Sequence, residues 1–141
     1  MNYQNYAMGK WVSGDGDGTP LFNAITGTEI GSANSKGLDF GQMMNYSREI
    51  GSPALRKMTF QQRGLMLKAL ALHLHGIKGK FYELSAATGA TKIDSWIDIE
   101  GGIGNLFANA SLRKQFPDLP YYVDGETAKL SKEGTFIGHH I

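Results

Sequence analysis

Cysteine does not occur anywhere in the 141 residues. Disulfides, thiolate metal sites and a cysteine nucleophile are therefore excluded from this chain. A chain without cysteine is redox-neutral, which fits a cytoplasmic setting. Charge is scarce and balanced: charged residues make up 19% and the formal net charge is +1. With no long run of either sign, there is no electrostatic footprint for nucleic acid and no polybasic anchor for a membrane. Long apolar runs are missing as well. None approaches the ~20 residues that a membrane span needs, and the opening "MNYQNYAMGKW" lacks the apolar core of a signal peptide. No internal repeat and no low-complexity segment is present.

What remains is the composition of a globular domain. Apolar residues make up 41%, enough to build a core in a chain of single-domain length. Glycine is abundant: nineteen residues, about twice the usual ~7%. Most fall in turn-like tracts. Three of the four residues Gly101, Gly102, Ile103 and Gly104 are glycine inside an apparently helical stretch. A glycine in a helix interior costs about 1 kcal/mol relative to alanine, so that stretch needs a reason.

The N-terminal third reads as strands. "YAMGKWV" and "PLFNAI" flank "SGDGDGT", which suits a hairpin loop. "TGTEIGSAN" follows as a turn and a short strand. Helical periodicity starts near Asp39, a capping residue with Gln42 in the capping-box position. Phe40, Met43, Met44, Ser47 and Ile50 share a face, Gly51 supplies a stop, and "SPALRKM" adds one turn with Pro53 in its first position. A long helix opens with Thr59 and Gln62, again in capping-box relation. It carries Leu67, Leu70, Leu74, Ile77, Phe81 and Leu84 at steps of three and four, and reaches a stop at Gly89. A third helix is expected over about residues 95–115. "YYVDGETAKL" then offers an Asp-Gly turn between short strands, and "GTFIGHHI" reads as one more strand.

Candidate sites for chemistry are few. Counting a calcium loop from Asp15 puts Thr26 where its glutamate should stand, so "GDGDG" reads as a solvated turn. His73 and His75 are two apart on a helix and point about 200° apart. One partly buried and one surface histidine is the expectation there. His139 and His140 are adjacent on a strand and face opposite sides. Neither pair suits a metal. "GGIG" lies mid-helix, not between a strand and a helix start as a phosphate loop does. No serine sits in a nucleophile motif. Asp94, Asp98 and Glu100 read as acids placed near a helix N-terminus. Around the third helix, Ile99, Ile103, Leu106 and Ala110 cluster on one side. Gly101, Gly104, Ala108 and Ser111 line the other as a small-residue stripe that lets a backbone or a ligand approach closely.

The order of several short motifs adds to this reading. Gly9, Lys10 and Trp11 form a G-x-W strand. Asn23, Ala24, Ile25, Thr26, Gly27, Thr28 and Glu29 approximate an "nPatGe" turn, with Ala24 replacing the proline and the acid displaced by one. "MTFQQRGLML" stands for "lt-x-x-eR-x-x-L", and Ala87, Thr88, Gly89 and Ala90 stand where "etGk" would end the long helix. Together these resemble the N-terminal portion of the aldehyde dehydrogenase superfamily. "SKGLDF", "GSPALRKMTFQQR", "SAATGATKIDSWIDIEGGIGNLF" and "LSKEGTFIGHHI" are similar to the branch that oxidises CoA-linked semialdehydes in the breakdown of aromatic acids such as phenylacetate.

The resemblance implies an α+β fragment with an N-terminal β-hairpin, three helices and C-terminal strands, the leading part of the α/β aldehyde dehydrogenase fold. Residues 1–36 would be strands and turns, 37–116 helical, and 117–141 strands of the oligomerisation type. The full-length enzyme would use NAD or NADP, and its catalytic cysteine, glutamate base and oxyanion-hole asparagine would lie outside residues 1–141. No catalytic, cofactor-binding or metal-binding residue is expected within them. Ile99, Ile103, Gly104 and Leu106 would border the substrate tunnel. The expected partners are the remainder of the dehydrogenase domain and further copies of the chain, joined through the C-terminal strands. The alternative is a free-standing interaction module derived from that fold.

Overall fold

The structure, a computed structural model, describes residues 2–123 together with 128–129, 133, 135–136 and 139–140. It begins with β1 (Asn2–Tyr3), β2 (Asn5–Ala7), β3 (Lys10–Val12), β4 (Thr19–Phe22) and β5 (Glu29–Ala33). β5 is central to a three-stranded sheet, with β1 parallel on one side and β4 antiparallel on the other. β2 and β3 form a separate hairpin.

This pairing corrects the expected hairpin across "SGDGDGT". Met8 and Gly9 both have positive φ, 50° and 82°, the geometry of a two-residue turn whose twist matches its strands. "YAMGKWV" therefore closes on itself, and the Asp-Gly tract becomes a loop between two sheets. Asn34 organises that loop by donating from Nδ2 to the Asp15 carbonyl at 2.7 Å. β4 instead pairs with β5 around the turn that starts at Asn23. There the Asn23 Oδ1 accepts from the N–H groups of Ile25 and Thr26 at 2.9 and 3.1 Å.

The helices are α1 (Phe40–Tyr46), a π-helical turn (Ser47–Gly51), α2 (Ser52–Lys57), α3 (Phe60–Ala87), α4 (Lys92–Ser111) and a 3-10 turn (Leu112–Gln115). Asp39 caps α1 through the Gln42 N–H at 2.9 Å. Gly51 does not stop the helix. The Ser52 N–H bonds the carbonyl of Ser47, five residues back, and the helix runs on into α2. Pro53 supplies the physical reason: its ring crowds the carbonyl four residues earlier, and a wider π turn relieves that contact without ending the helix.

Both long helices start with complete capping boxes. Thr59 Oγ1 accepts from the Gln62 N–H at 3.2 Å, and Gln62 Oε1 accepts from the Thr59 N–H at 2.9 Å. Thr91 and Asp94 repeat the arrangement, so α4 begins at Lys92, three residues before the expected start. Gly89, with φ of 83°, ends α3 as its position suggests and turns the chain back. α3 and α4 then pack against each other as the largest interface of the described residues. After α4, the chain returns to the start of α3. The Phe60 N–H donates to the Leu119 carbonyl at 3.0 Å, and Phe116 stacks on Phe60 with centroids 4.6 Å apart.

The C-terminal strands are β6 (Tyr122–Val123), β7 (Ala128–Lys129), β8 (Thr135–Phe136) and β9 (His139–His140). β6 pairs with β9 and β7 with β8, both antiparallel. The pairs are nested, so the two strands flanking the expected Asp-Gly turn do not pair with each other. Asp124 and Gly125 lie outside the described residues, as do the side chains of His139 and His140.

Candidate functional site: the groove along α3 and α4

The seam between α3 and α4 is built on a seven-residue spacing. Gly64, Ala71, Lys78 and Ser85 recur at that interval along α3, which keeps them on one face. Small residues at such positions let helix axes approach closely. Ala71 is fully buried, and a Cβ placed on Gly64 would lie 2.7 Å from the Arg113 Cβ and 2.9 Å from the Ala110 carbonyl oxygen. The expected stripe of larger side chains flanks this seam. Leu67, Leu74, Ile77 and Phe81 are half-buried, while Leu70 and Leu84 are exposed.

Farther along, the seam turns polar. Lys78 Nζ lies 2.6 Å from Glu100 Oε1, and the Tyr82 hydroxyl donates to the same oxygen at 3.3 Å. The Ser85 and Ser95 hydroxyls are 2.8 Å apart, with Ser95 buried. The Lys78 hydrogen bond holds the Glu100 carboxyl below its ordinary pKa, against the opposing effect of burial. Burial, and then the Glu100 charge, push the Tyr82 phenol up. Asp94 is held below its ordinary value by the Thr91 hydroxyl and N–H. The three acids of this region thus do different things: Asp94 caps α4, Asp98 borders the groove described next, and Glu100 pairs across the seam.

A groove of about 410 Å³ runs beside the polar half of the seam, with Leu74, Phe81 and Leu84 on one wall and Ile99, Gly102 and Ile103 on the other. A second groove of about 470 Å³ lies between the sheet and the end of α3, lined by Tyr3, Leu21, Phe22 and Ile30. Leu84 and Thr88 border both. The turn that begins at Asn23 closes this corner, because the Ala24 N–H donates to the Ala87 carbonyl at 2.8 Å. Two of the sequence motifs therefore meet: the Asn23–Glu29 tract caps the end of the long helix.

Of the four residues expected at a substrate tunnel, Ile99 and Ile103 line the 410 Å³ groove. Leu106 is half-buried outside it. Gly104 is exposed, and a Cβ placed there, or on Gly101, would meet nothing within 4 Å. The small-residue stripe thus faces away from α3, because each helical step turns the side chain by about 100°. His73 and His75 are both exposed, so the expected buried member of that pair is not found.

The groove suits contact with an apolar group. Its hydroxyls are already engaged: Ser85 with Ser95, and Thr88 Oγ1 donating to the Ser85 carbonyl at 2.7 Å. Among the described residues no nucleophile and base come together, and no group of three histidine, aspartate or glutamate side chains is placed to hold a metal. No helix among them is long and apolar enough to cross a membrane. Nor do these residues fit a nicotinamide cofactor. The glycine run is internal to α4, and α4 itself starts from a helix–helix turn capped by Thr91, where a dinucleotide site needs a strand leading into a glycine-rich turn.

Sequence reasoning missed the Lys78–Glu100–Tyr82 cluster, the Ser85–Ser95 pair and the close approach at Gly64. The seven-residue recurrence on α3 carried the signal. Its members are small or polar, so no apolar periodicity marks them.

Comparison with known proteins supports the resemblance to the aldehyde dehydrogenase superfamily. The chain is 28% identical over 142 residues to the 3,4-dehydroadipyl-CoA semialdehyde dehydrogenase of Aromatoleum evansii. That match covers 100% of this chain and 28% of the relative, so the chain spans little more than a quarter of the length of the enzyme it resembles. No family model matches the chain.

Proposed function

We propose that these residues form the leading segment of an NAD(P)-dependent aldehyde dehydrogenase that oxidises a CoA-linked semialdehyde in aromatic-acid degradation. The observation that carries this reading is the end-to-end match to a semialdehyde dehydrogenase more than three times as long. The finer resemblance is to the dehydrogenase half of the phenylacetic acid degradation bifunctional protein, in which a separate domain opens the ring before the aldehyde is oxidised.

On this reading the segment supports catalysis without performing it. The chain contains no cysteine, so the thiolate that attacks an aldehyde carbonyl in this superfamily comes from elsewhere in the enzyme. The cofactor is likewise held by the remainder. The described residues contribute an apolar wall, Ile99 and Ile103, against which an acyl portion of the substrate packs, and the C-terminal strands join subunits into a homo-oligomer. Many large apolar side chains stay exposed, among them Trp11 at 65%, Phe40 at 63% and Trp96 at 59%. Surfaces of this kind are covered by further protein.

The test is direct. The isolated chain is expected to give no aldehyde-dependent NAD(P)H formation above background, and the enzyme containing it to oxidise a CoA semialdehyde. Ile103→Phe, which narrows the groove, should then raise KM for the CoA-linked aldehyde more than for a short free aldehyde. Turnover by the isolated chain would overturn the segment reading. An equal effect on both aldehydes would remove the groove from the substrate path. A second reading, an independent interaction module, also rests on the exposed apolar faces; a reading frame ending at Ile141 in the source gene would favour it.

A further inference from the structure

The motif "MTFQQRGLML" opens α3. The first N–H groups of a helix have no partner within it. Here one of them, with two nearby side chains, collects carbonyls from the chain that leaves α4. The Phe60 N–H donates to the Leu119 carbonyl at 3.0 Å. Gln61 Nε2 donates to the Arg113 carbonyl at 2.8 Å and to the Phe116 carbonyl at 3.3 Å. Arg63 Nη2 reaches one residue past Leu119 and donates to the Pro120 carbonyl at 3.0 Å. The guanidinium lies 4.4 Å from the centroid of the Phe60 ring, Phe60 stacks on Phe116 at 4.6 Å, and Phe116 meets Tyr122 edge to face at 5.5 Å. Tyr122 is the first residue of β6. Among the described residues, the Pro120 carbonyl is therefore the last backbone group tied to the helices before the C-terminal strands.

The place of Arg63 has a cost. Its Nε is buried and meets no acceptor among the described residues, whereas water would satisfy that donor on an exposed side chain. A guanidinium held this way is placed for what its end and its face do. Its end makes a charge-assisted hydrogen bond, stronger than the neutral ones beside it, and its face stacks on Phe60. Gly64, the next residue, brings the two helices together under this contact, since a Cβ there would lie 2.7 Å from the Arg113 Cβ.

We propose that Arg63 is a positioning residue: it fixes the direction in which the C-terminal strands leave the helices, and so presents them in one orientation to a second copy of the chain. The anchoring rests on the contacts above; the association step rests on the reading that these strands join subunits. Without Nη2, the Tyr122 contact with Phe116 is what still holds the start of β6 to the helices among the described residues.

The test uses the enzyme that contains residues 1–141. Arg63→Met keeps an apolar stem and removes the guanidinium, and Arg63→Lys keeps the charge without the planar face. In Arg63→Met, hydrogen–deuterium exchange over residues 118–123 should rise by about tenfold or more, the scale of one lost charge-assisted hydrogen bond. Exchange over residues 66–86 and 96–110 should stay as in the parent. Arg63→Lys should fall between the two, and the subunit dissociation constant from sedimentation should rise in the same order. Exchange unchanged over residues 118–123, or rising equally over all three ranges, would overturn the proposal. Val123→Pro, which puts a ring and no N–H into β6, separates the proposal from the reading beneath it. Dissociation by Val123→Pro but not by Arg63→Met would overturn the positioning role alone. Association untouched by Val123→Pro would overturn the reading that the strands join subunits. If Arg63→Met fails to fold, Arg63→Lys against the parent makes the same comparison.

Discussion

The α3–α4 hairpin and the helical run of residues 40–57 carry apolar side chains at similar spacings, but they use them differently. In the hairpin, Ala71, Ile103 and Ala110 are buried and the helices meet at van der Waals distance. In the run of residues 40–57 none is buried, and Phe40, Met44, Ile50 and Leu55 are exposed. The difference is one of partner rather than composition. Helical periodicity offers an apolar face in both places, and burial needs a second surface of matching shape. The hairpin brings its own through the tight turn at Gly89. The 40–57 run buries no side chain against one among the described residues.

The largest test of this contrast compares deletions in the two regions. Ile103→Ala is expected to cost about 2–5 kcal/mol, the usual range for emptying a buried aliphatic site. Met44→Ala should stay within about 0.5 kcal/mol of the parent. Urea denaturation followed by helical circular dichroism measures both, and equal losses would erase the distinction. The two classes of helical glycine separate next. Gly64→Ala forces a methyl group against a backbone oxygen and should destabilise by about 1–3 kcal/mol. Gly104→Ala enters open space and should stabilise by up to about 1 kcal/mol. The same sign for both would mean that packing does not distinguish them.

A smaller effect is expected from pH. Glu100 and Asp94 are both held below their ordinary values, by Lys78 and by Thr91 respectively. A carboxyl whose folded-state pKa is depressed adds stability above its unfolded value and loses it as pH falls through the folded one. Thermal unfolding followed downward from about pH 5, across the ordinary carboxylate range, should therefore show a falling midpoint. Glu100→Gln should flatten part of that fall. An unchanged slope would leave Asp94 or other acids as its source.

Local signals in the sequence were read well where they act over a few residues. Asp39, Thr59 with Gln62, and Gly89 all sit at helix ends as their chemistry requires, since capping is settled by groups within one turn. Gly51 misled because a glycine followed by Ser-Pro also fits a π turn. The N-terminal hairpin misled because two candidate turns competed, and positive φ at Met8 favoured the shorter. The candidate groove was half legible: Ile99 and Ile103 could be placed on a common face, but the α3 residues opposite them could not.

The sequence by itself determined where α1 and α3 begin and where α3 ends, which chemistry the chain lacks, and the resemblance that gives it a functional setting. It did so because capping, turn geometry and composition are properties of neighbouring residues. Tertiary structure alone decided that Gly64 is a point of contact while Gly101 and Gly104 face open space, and that Lys78 finds Glu100 twenty-two positions away. Those outcomes depend on how two helices are rotated and spaced against each other, and no single helix carries that information in its own periodicity.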